Sequence, residues 1–279
     1  MSGVPAVIGS LDPWSGGEVA QGLLCVLAPN PSAMTLDGTN TWILWHGGSA
    51  VIVDPGPDDE EHLTAVATEL STRDLVPAEI VLTHGHGDHS AGAPTFAAHW
   101  NIPVRALDPV HRLGSEGLSD GDVIRQGDLE LRVIQTPGHT ADSVSLHVPH
   151  AEALLTGDTI LGRGTSVVAW PDGSLTEYLM SLARLQRVAE EYPLDRVLPG
   201  HGPALNEPAD LLAEYVAHRE ERLDQVRAAI ADGAESVTDL VEVVYQPLPA
   251  GVLPAARASA AAQWAHLHHL GEVALPPEQ

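Results

Sequence analysis

The chain has 279 residues, with 38 acidic and 13 basic side chains and a formal net charge of -25. All 13 basic residues are arginine, and the absence of lysine excludes lysine-dependent phosphate-binding loops, pyridoxal enzymes and Schiff-base aldolases. So strong a negative charge repels a phosphate backbone or an anionic membrane, which disfavours sequence-independent nucleic-acid binding. The 15 histidines outnumber the basic residues. Histidine is the commonest metal ligand, so the composition indicates metal chemistry.

Length and hydropathy indicate one large domain, or one domain with a small appendage. A hydrophobic content of 44% is typical of a soluble globular protein. No apolar run approaches the ~20 residues of a membrane span, and the first residues lack the features of a signal peptide, so we expect a cytoplasmic protein with no membrane partner. The single cysteine, Cys25, lies in an apolar run and is expected to be a buried hydrophobe. Any metal must therefore be held by histidine and carboxylate.

Apolar, β-branched segments bounded by Gly, Pro, Asn or Asp predict strands through the first 200 residues. These segments are residues 22–28, 41–46, 50–54, 79–83, 129–135, 143–148, 153–156 and 196–198. Amphipathic spacing predicts helices over residues 60–71 and 175–191. Strands interspersed with helices predict an α/β domain in which helices cover sheets.

The character of the chain changes after the proline-rich segment 199–208. A long charged helix is predicted over 210–232, followed by a helix ending near Tyr245, a loop over 246–254, an alanine-rich helix to about Leu270 and a strand over 272–275. We therefore expect a catalytic domain over 1–208 and a winged-helix-like α+β appendage within 209–279. Residues 233–279 carry only Arg257 against five acids, so we interpret this tail as a lid, packing or dimer element.

The strongest motif is THGHGDHSAG over residues 83–92, directly after a predicted strand. It spaces His84, His86, Asp88 and His89 in the pattern H-x-H-x-D-H. We expect a turn, because glycines alternate with the polar residues. In such a turn two histidines face one metal, and the following aspartate and histidine face a neighbouring one. Nitrogen and oxygen ligands interleaved in this way suit two metals ~3.5–4 Å apart.

Three further predicted strands run into a polar residue beside glycine. They place His139, Asp158 and His201 after residues 135, 156 and 198. Each signal is weak alone, but together they complete a ligand set. The resulting assignment has one metal held by His84, His86 and His139, a second held by Asp88, His89 and His201, and Asp158 bridging the two.

These motifs resemble those of the metallo-β-lactamase superfamily, over roughly residues 20 to 205. The resemblance implies an αββα sandwich with the metals at one edge between two sheets. The segment IVDPG over residues 52–56 matches another element of the superfamily. By the same resemblance, Asp54 would hydrogen-bond to the ligand turn and fix its shape.

Less diagnostic segments, at 30–44, 161–168 and 215–226, are similar to the β-lactamase-like-protein-2 group. Members of that group include a mitochondrial endoribonuclease that acts on single-stranded RNA. The resemblance spans nearly the whole chain and includes the winged-helix-like tail. It implies a phosphodiesterase activity, which the acidity of the chain disfavours.

The ligand set predicts a dinuclear-zinc hydrolase, although Fe or Mn would also suit the ligands. A hydroxide bridging two Zn²⁺ ions is available near pH ~7 and attacks an electrophilic carbonyl or phosphorus. Either Asp88 or Asp158 accepts and returns the proton. We also expect substrate contacts from Arg163 and Trp170, which lie just after Asp158. Asn40 and Thr41 are further candidates, because they lie in the segment similar to the β-lactamase-like-protein-2 group.

Three functions remain open at this point. The charge favours hydrolysis of an ester, thioester, lactone or similar acyl bond in a small substrate. The resemblance favours a single-strand-specific endoribonuclease. A non-catalytic metal-binding module is the third, and the complete ligand set argues against it.

Overall fold

The computed structural model describes residues 8–9, 11–245 and 250–274 and contains two six-stranded sheets. The first sheet has the strand order β1 to β6, formed by Gly17–Ala20, Leu23–Leu27, Asn40–Trp45, Ser49–Val53, Val76–Val81 and Val104–Arg105. The second runs from β12 back to β7, with β7 to β12 formed by Val123–Gln126, Leu129–Gln135, Val144–Val148, Ala153–Gly157, Arg196–Pro199 and Leu205–Asn206. All eight predicted strands of the first 200 residues are present.

Helices cover the outer faces of both sheets. In chain order, α1 to α7 are Glu60–Thr72, Gly87–Ser90, Ala93–Trp100, Leu175–Glu191, Pro208–Ala231, Val237–Val244 and Leu253–His269. Helices α1 and α3 pack on the first sheet, and α4 to α7 belong to the apolar cluster on the second. The architecture is the expected αββα sandwich.

Burial on both faces explains why the central strands are continuously apolar. In β3, Trp42 and Leu44 point into the layer between the sheets, whereas Ile43 packs under α1 and α3. In β8, Leu131 and Val133 enter the middle layer and Ile134 faces the helices on the other side. Neighbouring side chains of a strand point to opposite faces, so both faces must be apolar.

The predicted metal ligands lie where strands end at one edge of the sandwich. Strands β4 and β5 are parallel, as are β10 and β11. Asp54 follows β4, His84 follows β5 by three residues, Asp158 directly follows β10, and His201 follows β11 by two residues. Parallel strands bring their carboxyl ends to the same edge, and so the fold gathers residues that are distant in sequence.

The strand predicted over 272–275 is wrong for residues 272–274, and Leu275 lies outside the described residues. This segment folds back on α7 instead of pairing with a strand. Trp264 Nε1 donates to the Ala274 carbonyl at 2.8 Å, and His268 Nδ1 donates to the Val273 carbonyl at 2.9 Å. The regular secondary structure of the appendage's described part is all helical. The winged-helix detail stays a prediction, as do the limits of the two domains.

The C-terminal helices share their apolar cluster with the second sheet. Tyr215 of α5 is fully buried, and its hydroxyl accepts from the Leu161 amide at 2.8 Å and donates to the Gly164 carbonyl at 2.9 Å. Helix α5 is therefore anchored to the segment that follows β10. Over the described part of the chain, no helix is both long and apolar enough to cross a bilayer.

Candidate metal centre

The ligand motif is only partly a turn. His84 and His86 precede α2, but Gly87–Ser90 forms a four-residue helix. The amides of His89 and Ser90 both donate to the His86 carbonyl, at 2.9 and 3.0 Å. The expected turn is therefore corrected to an extended segment followed by one helical turn. This turn places His89 beside His84, with their ring centroids 4.2 Å apart.

The seven predicted ligands converge on one site. They form three overlapping groups in which the candidate ligand atoms lie within 4.8 Å of one another: His84, His86 and His139; His84, His89 and Asp158; and Asp88, His89 and His201. The first and third groups correspond to the two predicted metal positions, and the second joins them.

Short distances between like groups show how closely the ligands converge. His139 Nε2 lies 3.0 Å from His86 Nδ1, and His89 Nε2 lies 3.2 Å from His201 Nε2. Asp158 Oδ2 is 3.4 Å from His201 Nε2 and 3.7 Å from His139 Nε2, between the two groups. This position is the one expected of a bridging carboxylate.

Unpartnered polar atoms show that the residues fit a metal ion. His84 Nε2 and Asp158 Oδ1 are buried and have no hydrogen-bond partner among the residues that the structure describes. Leaving such atoms unsatisfied costs on the order of 1–3 kcal/mol each. A cation held by imidazole nitrogens and carboxylate oxygens satisfies both atoms, and these donors suit zinc, iron or manganese.

Four of the five imidazoles bond to the protein through Nδ1, which leaves Nε2 for the common centre. The acceptors are Thr83 Oγ1 for His84 at 3.1 Å, Asp54 Oδ2 for His89 at 2.9 Å, the Val167 carbonyl for His139 at 2.8 Å and the Gly38 carbonyl for His201 at 3.2 Å. Each acceptor favours the tautomer with its proton on Nδ1, so that Nε2 is free to bind a metal.

Asp54 takes the supporting position implied by the resemblance. It is 1% exposed, and its Oδ1 accepts from the Thr83 amide at 2.8 Å. Its Oδ2 accepts from the Thr83 hydroxyl at 2.6 Å and from His89 Nδ1 at 2.9 Å. A single buried carboxylate therefore holds both the start of the ligand motif and one of its imidazoles.

Thr41 is fully buried and supports Asp54 from behind. Its hydroxyl donates to the Asp54 carbonyl at 2.7 Å and lies 2.8 Å from His62 Nε2. Burial lowers the pKa of His62 to about 4, although Asp59 opposes the shift. A substrate contact by Thr41 is inconsistent with this burial, and its observed role is to position Asp54.

Asn40 is also fully buried and holds the segment that carries His201. Its Nδ2 donates to the carbonyls of Pro199 at 2.9 Å and Gly202 at 2.8 Å. Its backbone amide donates to the Gly200 carbonyl at 2.8 Å. The expected substrate contact is therefore corrected here too: Asn40 fixes the loop on both sides of a ligand.

The two other predicted substrate contacts differ from each other. The Arg163 guanidinium pairs with Asp37 at 2.9 Å, so it is not available in the way that was expected. Trp170 is 50% exposed, and its backbone amide lies 3.4 Å from the Ala258 carbonyl of α7. Trp170 remains a candidate contact.

Asp172 contacts a candidate ligand and was not singled out by the sequence. Its Oδ2 lies 3.3 Å from His86 Nε2, which is the nitrogen opposite the one that faces the centre. The signal available was weak: a Pro-Asp-Gly turn within a segment already expected near the site. Asp172 connects the exposed ligand imidazole to the loop that contacts α7.

Burial and the neighbouring charges shift the pKa values of the clustered side chains in opposite directions. Burial holds the pKa of His84 well below its usual range. Burial also opposes protonation of His89 and His201, but the Asp158 carboxylate outweighs it and raises both pKa values, that of His201 to about 9. Burial opposes ionisation of Asp158, yet the neighbouring imidazoles hold its pKa well below its usual range. A metal ion that binds here must displace those protons.

Glycine keeps the centre open where β11 ends. A Cβ at Gly200 would lie 2.4 Å from Asp158 Oδ1 and 2.7 Å from His89 Cε1. These distances are far inside van der Waals contact, so any side chain here would displace a ligand. A Cβ at Gly87, within the ligand motif itself, would meet nothing within 4 Å.

Comparison with known proteins agrees with this geometry. A beta-lactamase-like protein 2 homolog of Caenorhabditis elegans is 32% identical over 246 residues, which cover 83% of this chain and 79% of that protein. Lactamase-like protein aptB of Emericella nidulans is 33% identical over 217 residues, covering 77% of this chain and 67% of that protein.

A solved structure supports the same fold. A beta-lactamase domain protein from Burkholderia ambifaria superposes with a TM-score of 0.80 at 24% sequence identity, covering 93% of this chain and 89% of that one. The family model described as "Metallo-beta-lactamase superfamily" matches residues 34–201. This span contains Asp54 and all seven candidate metal ligands. The chain belongs to the metallo-beta-lactamase superfamily.

Proposed function

We propose that the chain is a dinuclear-zinc hydrolase that cleaves an ester, thioester, lactone or similar acyl bond of a small substrate. The observation that carries this proposal is the pair of three-residue ligand groups joined by Asp158. When bound there, two zinc ions supply Lewis acidity and a nucleophilic water at neutral pH. Zinc is favoured because hydrolysis needs no change of oxidation state, whereas the same donors also suit Fe or Mn.

The protein's own residues orient the centre and move the proton. His89 and the Thr83 end of the motif are fixed by Asp54, so the ligand geometry is set before any substrate arrives. Asp88 keeps 32% of its side chain exposed, whereas Asp158 keeps 11%. Asp88 is therefore better placed to take a proton at the open side and return it to a leaving group. Asp158 is better placed to stay between the ligand groups.

The entrance to the centre favours a substrate without many negative charges. A cavity of about 240 Å³ beside His86 is lined by three carboxylates, Asp108, Asp142 and Asp172, and by no arginine. A phosphodiester backbone approaching this side would meet repulsion and no guanidinium to offset it. An uncharged ester, thioester or lactone would meet neither difficulty.

A larger cavity lies on the other side of the same loop. It has a volume of about 790 Å³ between residues 170–177 and α7, and its lining includes Trp170, Leu175, Ala262 and Ala265. Ser174, at its edge, donates its backbone amide to the Gly138 carbonyl beside the ligand His139, at 2.9 Å. We assign the non-reacting, apolar part of the substrate to this cavity. The assignment makes α7 one wall of the substrate site.

The alternative is single-strand-specific RNA hydrolysis, as in the β-lactamase-like-protein-2 group. Its support is the similarity to homologs of that name, which extends over 83% of the chain in one of them. The three carboxylates at the entrance oppose it. A non-catalytic metal-binding module is a further alternative that metal analysis and an activity assay would separate from both hydrolases.

The test is an activity panel on the zinc-loaded protein. Labelled single-stranded RNA, a simple phosphodiester, a glutathione thioester, lactones and a cephalosporin are compared, with His84→Ala as the metal-ligand variant. Turnover of a thioester, ester or lactone that is lost in His84→Ala, with RNA left intact, supports the proposal. RNA cleavage that is lost in the same variant would overturn it in favour of the endoribonuclease.

A further inference from the structure

A further cavity, lined by both charged and apolar side chains, lies far from the candidate metal centre. It has a volume of about 420 Å³ and lies between the later turns of α4 and the outer face of β8 and β9. None of its lining residues is a candidate metal ligand. Ser174, which precedes α4, contacts Gly138 at the metal edge, and Arg187 lies 13 residues further along. At 1.5 Å per residue the separation is about 20 Å.

Three arginines line this cavity, which is unusual in a chain with 13 arginines and a net charge of -25. Arg132 comes from β8, and Arg184 and Arg187 come from α4. The two helical arginines are three residues apart, so they lie on one face of α4. The fold therefore gathers three guanidinium groups around one cavity.

Two of these guanidinium groups are held in place by ion pairs. Arg132 bonds to Glu130 at 2.8 Å and lies over the ring of Tyr192, 5.3 Å from its centroid. Arg184 bonds to Asp120 at 2.8 Å and also donates from Nη1 to the Gln135 carbonyl at 3.2 Å. A guanidinium carries five N–H donors, so these contacts still leave donors free. These contacts order the arginines without using all their donors.

Arg187 and His147 have donors that nothing in the described chain uses. Arg187 is exposed and has neither a hydrogen bond nor an ion pair with any described residue. His147 is only 2% exposed, yet it lines the cavity and forms no hydrogen bond within the described ranges. Its ring packs against Tyr192 with centroids 4.8 Å apart. His147 and Arg132 are directly paired across β9 and β8, so both side chains point to the same side of the sheet.

We propose that this cavity binds a phosphate group, as inorganic phosphate or as the phosphate of a small monoester. The donors come from two strands and a helix and so approach from different directions. A tetrahedral dianion offers acceptor oxygens in all of those directions, whereas a carboxylate offers them in one plane. Guanidinium groups match phosphate oxygens in pairs, and the buried imidazole adds a directional donor. Glu191 also lines the cavity, so with Glu130 and Asp120 three carboxylates balance the three arginines, and the ligand binds through free N–H donors and not through an excess of positive charge.

The test compares phosphate binding by the zinc-loaded protein and two variants at constant ionic strength. Arg187→Gln removes the unpaired cation, and Arg257→Gln is the matched control, because Arg257 is also exposed and has no ion-pair partner among the described residues. Inorganic phosphate and glycerol phosphate are titrated by calorimetry and followed by ³¹P NMR. Comparing the affinity for inorganic phosphate with that for glycerol phosphate shows whether the site prefers the free ion or the monoester.

We expect the wild type and Arg257→Gln to show the same saturable site and Arg187→Gln to bind at least about 10-fold more weakly, with hydrolytic turnover unchanged. Phosphate held at the metal centre would be insensitive to Arg187→Gln and would appear as a separate class of site. Equal binding by both variants, or no saturable site apart from the metal centre, would overturn the proposal.

Discussion

Among the residues that position the candidate ligands, Asp54 is the one whose substitution should affect metal binding most directly. Its carboxylate accepts three hydrogen bonds, two from Thr83 and one from His89 Nδ1. Its backbone has a φ of +52°, a conformation that asparagine and aspartate tolerate better than most residues. Asp54→Asn therefore changes the hydrogen bonding and the charge while keeping the size and the backbone.

The substitution leaves one acceptor where there were two. If the amide oxygen keeps the Thr83 amide, its NH₂ group faces the Thr83 hydroxyl and His89. The Thr83 hydroxyl can rotate and accept from the amide while it still accepts from His84 Nδ1 at 3.1 Å, so the tautomer of His84 is kept. His89 cannot adapt in this way without losing its Nδ1 proton to the other nitrogen. The favoured tautomer would then carry its proton on Nε2, which faces the metal.

Loss of such a supporting hydrogen bond lowers metal affinity by about 10- to 100-fold, or about 1.4–2.8 kcal/mol. We expect Asp54→Asn to lower the affinity for the metal held by Asp88, His89 and His201. The affinity for the second metal, at the other ligand group, should be nearly unchanged. Competition with a fluorescent zinc chelator measures the two affinities, and circular dichroism checks the fold. Asp58→Asn is the matched control, since Asp58 is exposed and, within the described part of the chain, its carboxylate bonds only to Thr95. Two zinc equivalents bound by Asp54→Asn as tightly as by wild type would refute the reasoning.

The remaining predictions concern three other positions. Gly200→Ala should lose most of its zinc, because its Cβ would lie 2.4 Å from Asp158 Oδ1, whereas the control Gly87→Ala should keep its zinc. Metal content is measured by mass spectrometry, and equal zinc in the two variants would contradict this prediction. In the metal-free protein, the unfolded chain protonates His62 near pH ~6.5 before the folded protein does near 4, so stability should fall by about 2–3 kcal/mol as pH drops through that window. Urea unfolding at several pH values should show a flatter dependence for His62→Gln, and an unchanged slope would count against it. Asp172→Asn should weaken zinc binding by less than about 10-fold, since this carboxylate is 65% exposed, and should shift the visible spectrum of the cobalt-substituted protein.

The central strands and the ligand motif could be predicted because their signals are local. A strand buried on both faces is an apolar run, and a run that ends in Gly, Pro or Asp marks its own boundary. The predicted and observed limits coincide for residues 129–135. The edge strands β1, β6, β7 and β12 were missed, because two to four residues with little apolar patterning give no such signal.

The supports of the site could not be predicted from local pattern, because their partners are far away in the chain. Asn40 bonds to a carbonyl 162 residues away, and Asp172 to an imidazole 86 residues away. Asn40 and Thr41 were therefore placed near the site correctly but given the wrong kind of contact. The position of a loop can be inferred from the strand that precedes it. The direction of its side chains depends on tertiary packing, which the local sequence does not show.

The location of the acidic residues matters more for substrate choice than the net charge of the chain. Among the described residues, Asp54, Asp88 and Asp158 lie at the centre, and two divalent cations would exceed their charge by one. Three further carboxylates line the entrance, while the arginine nearest in sequence to the ligand Asp158, Arg163, is paired with Asp37. On the proposed function, the cavity beside His86 would stay negative with two divalent cations bound, and a polyanion would approach it against that field. The net charge of -25 alone could not show this. If the same acidic residues lay far from the site, they would not prevent a phosphodiester from binding.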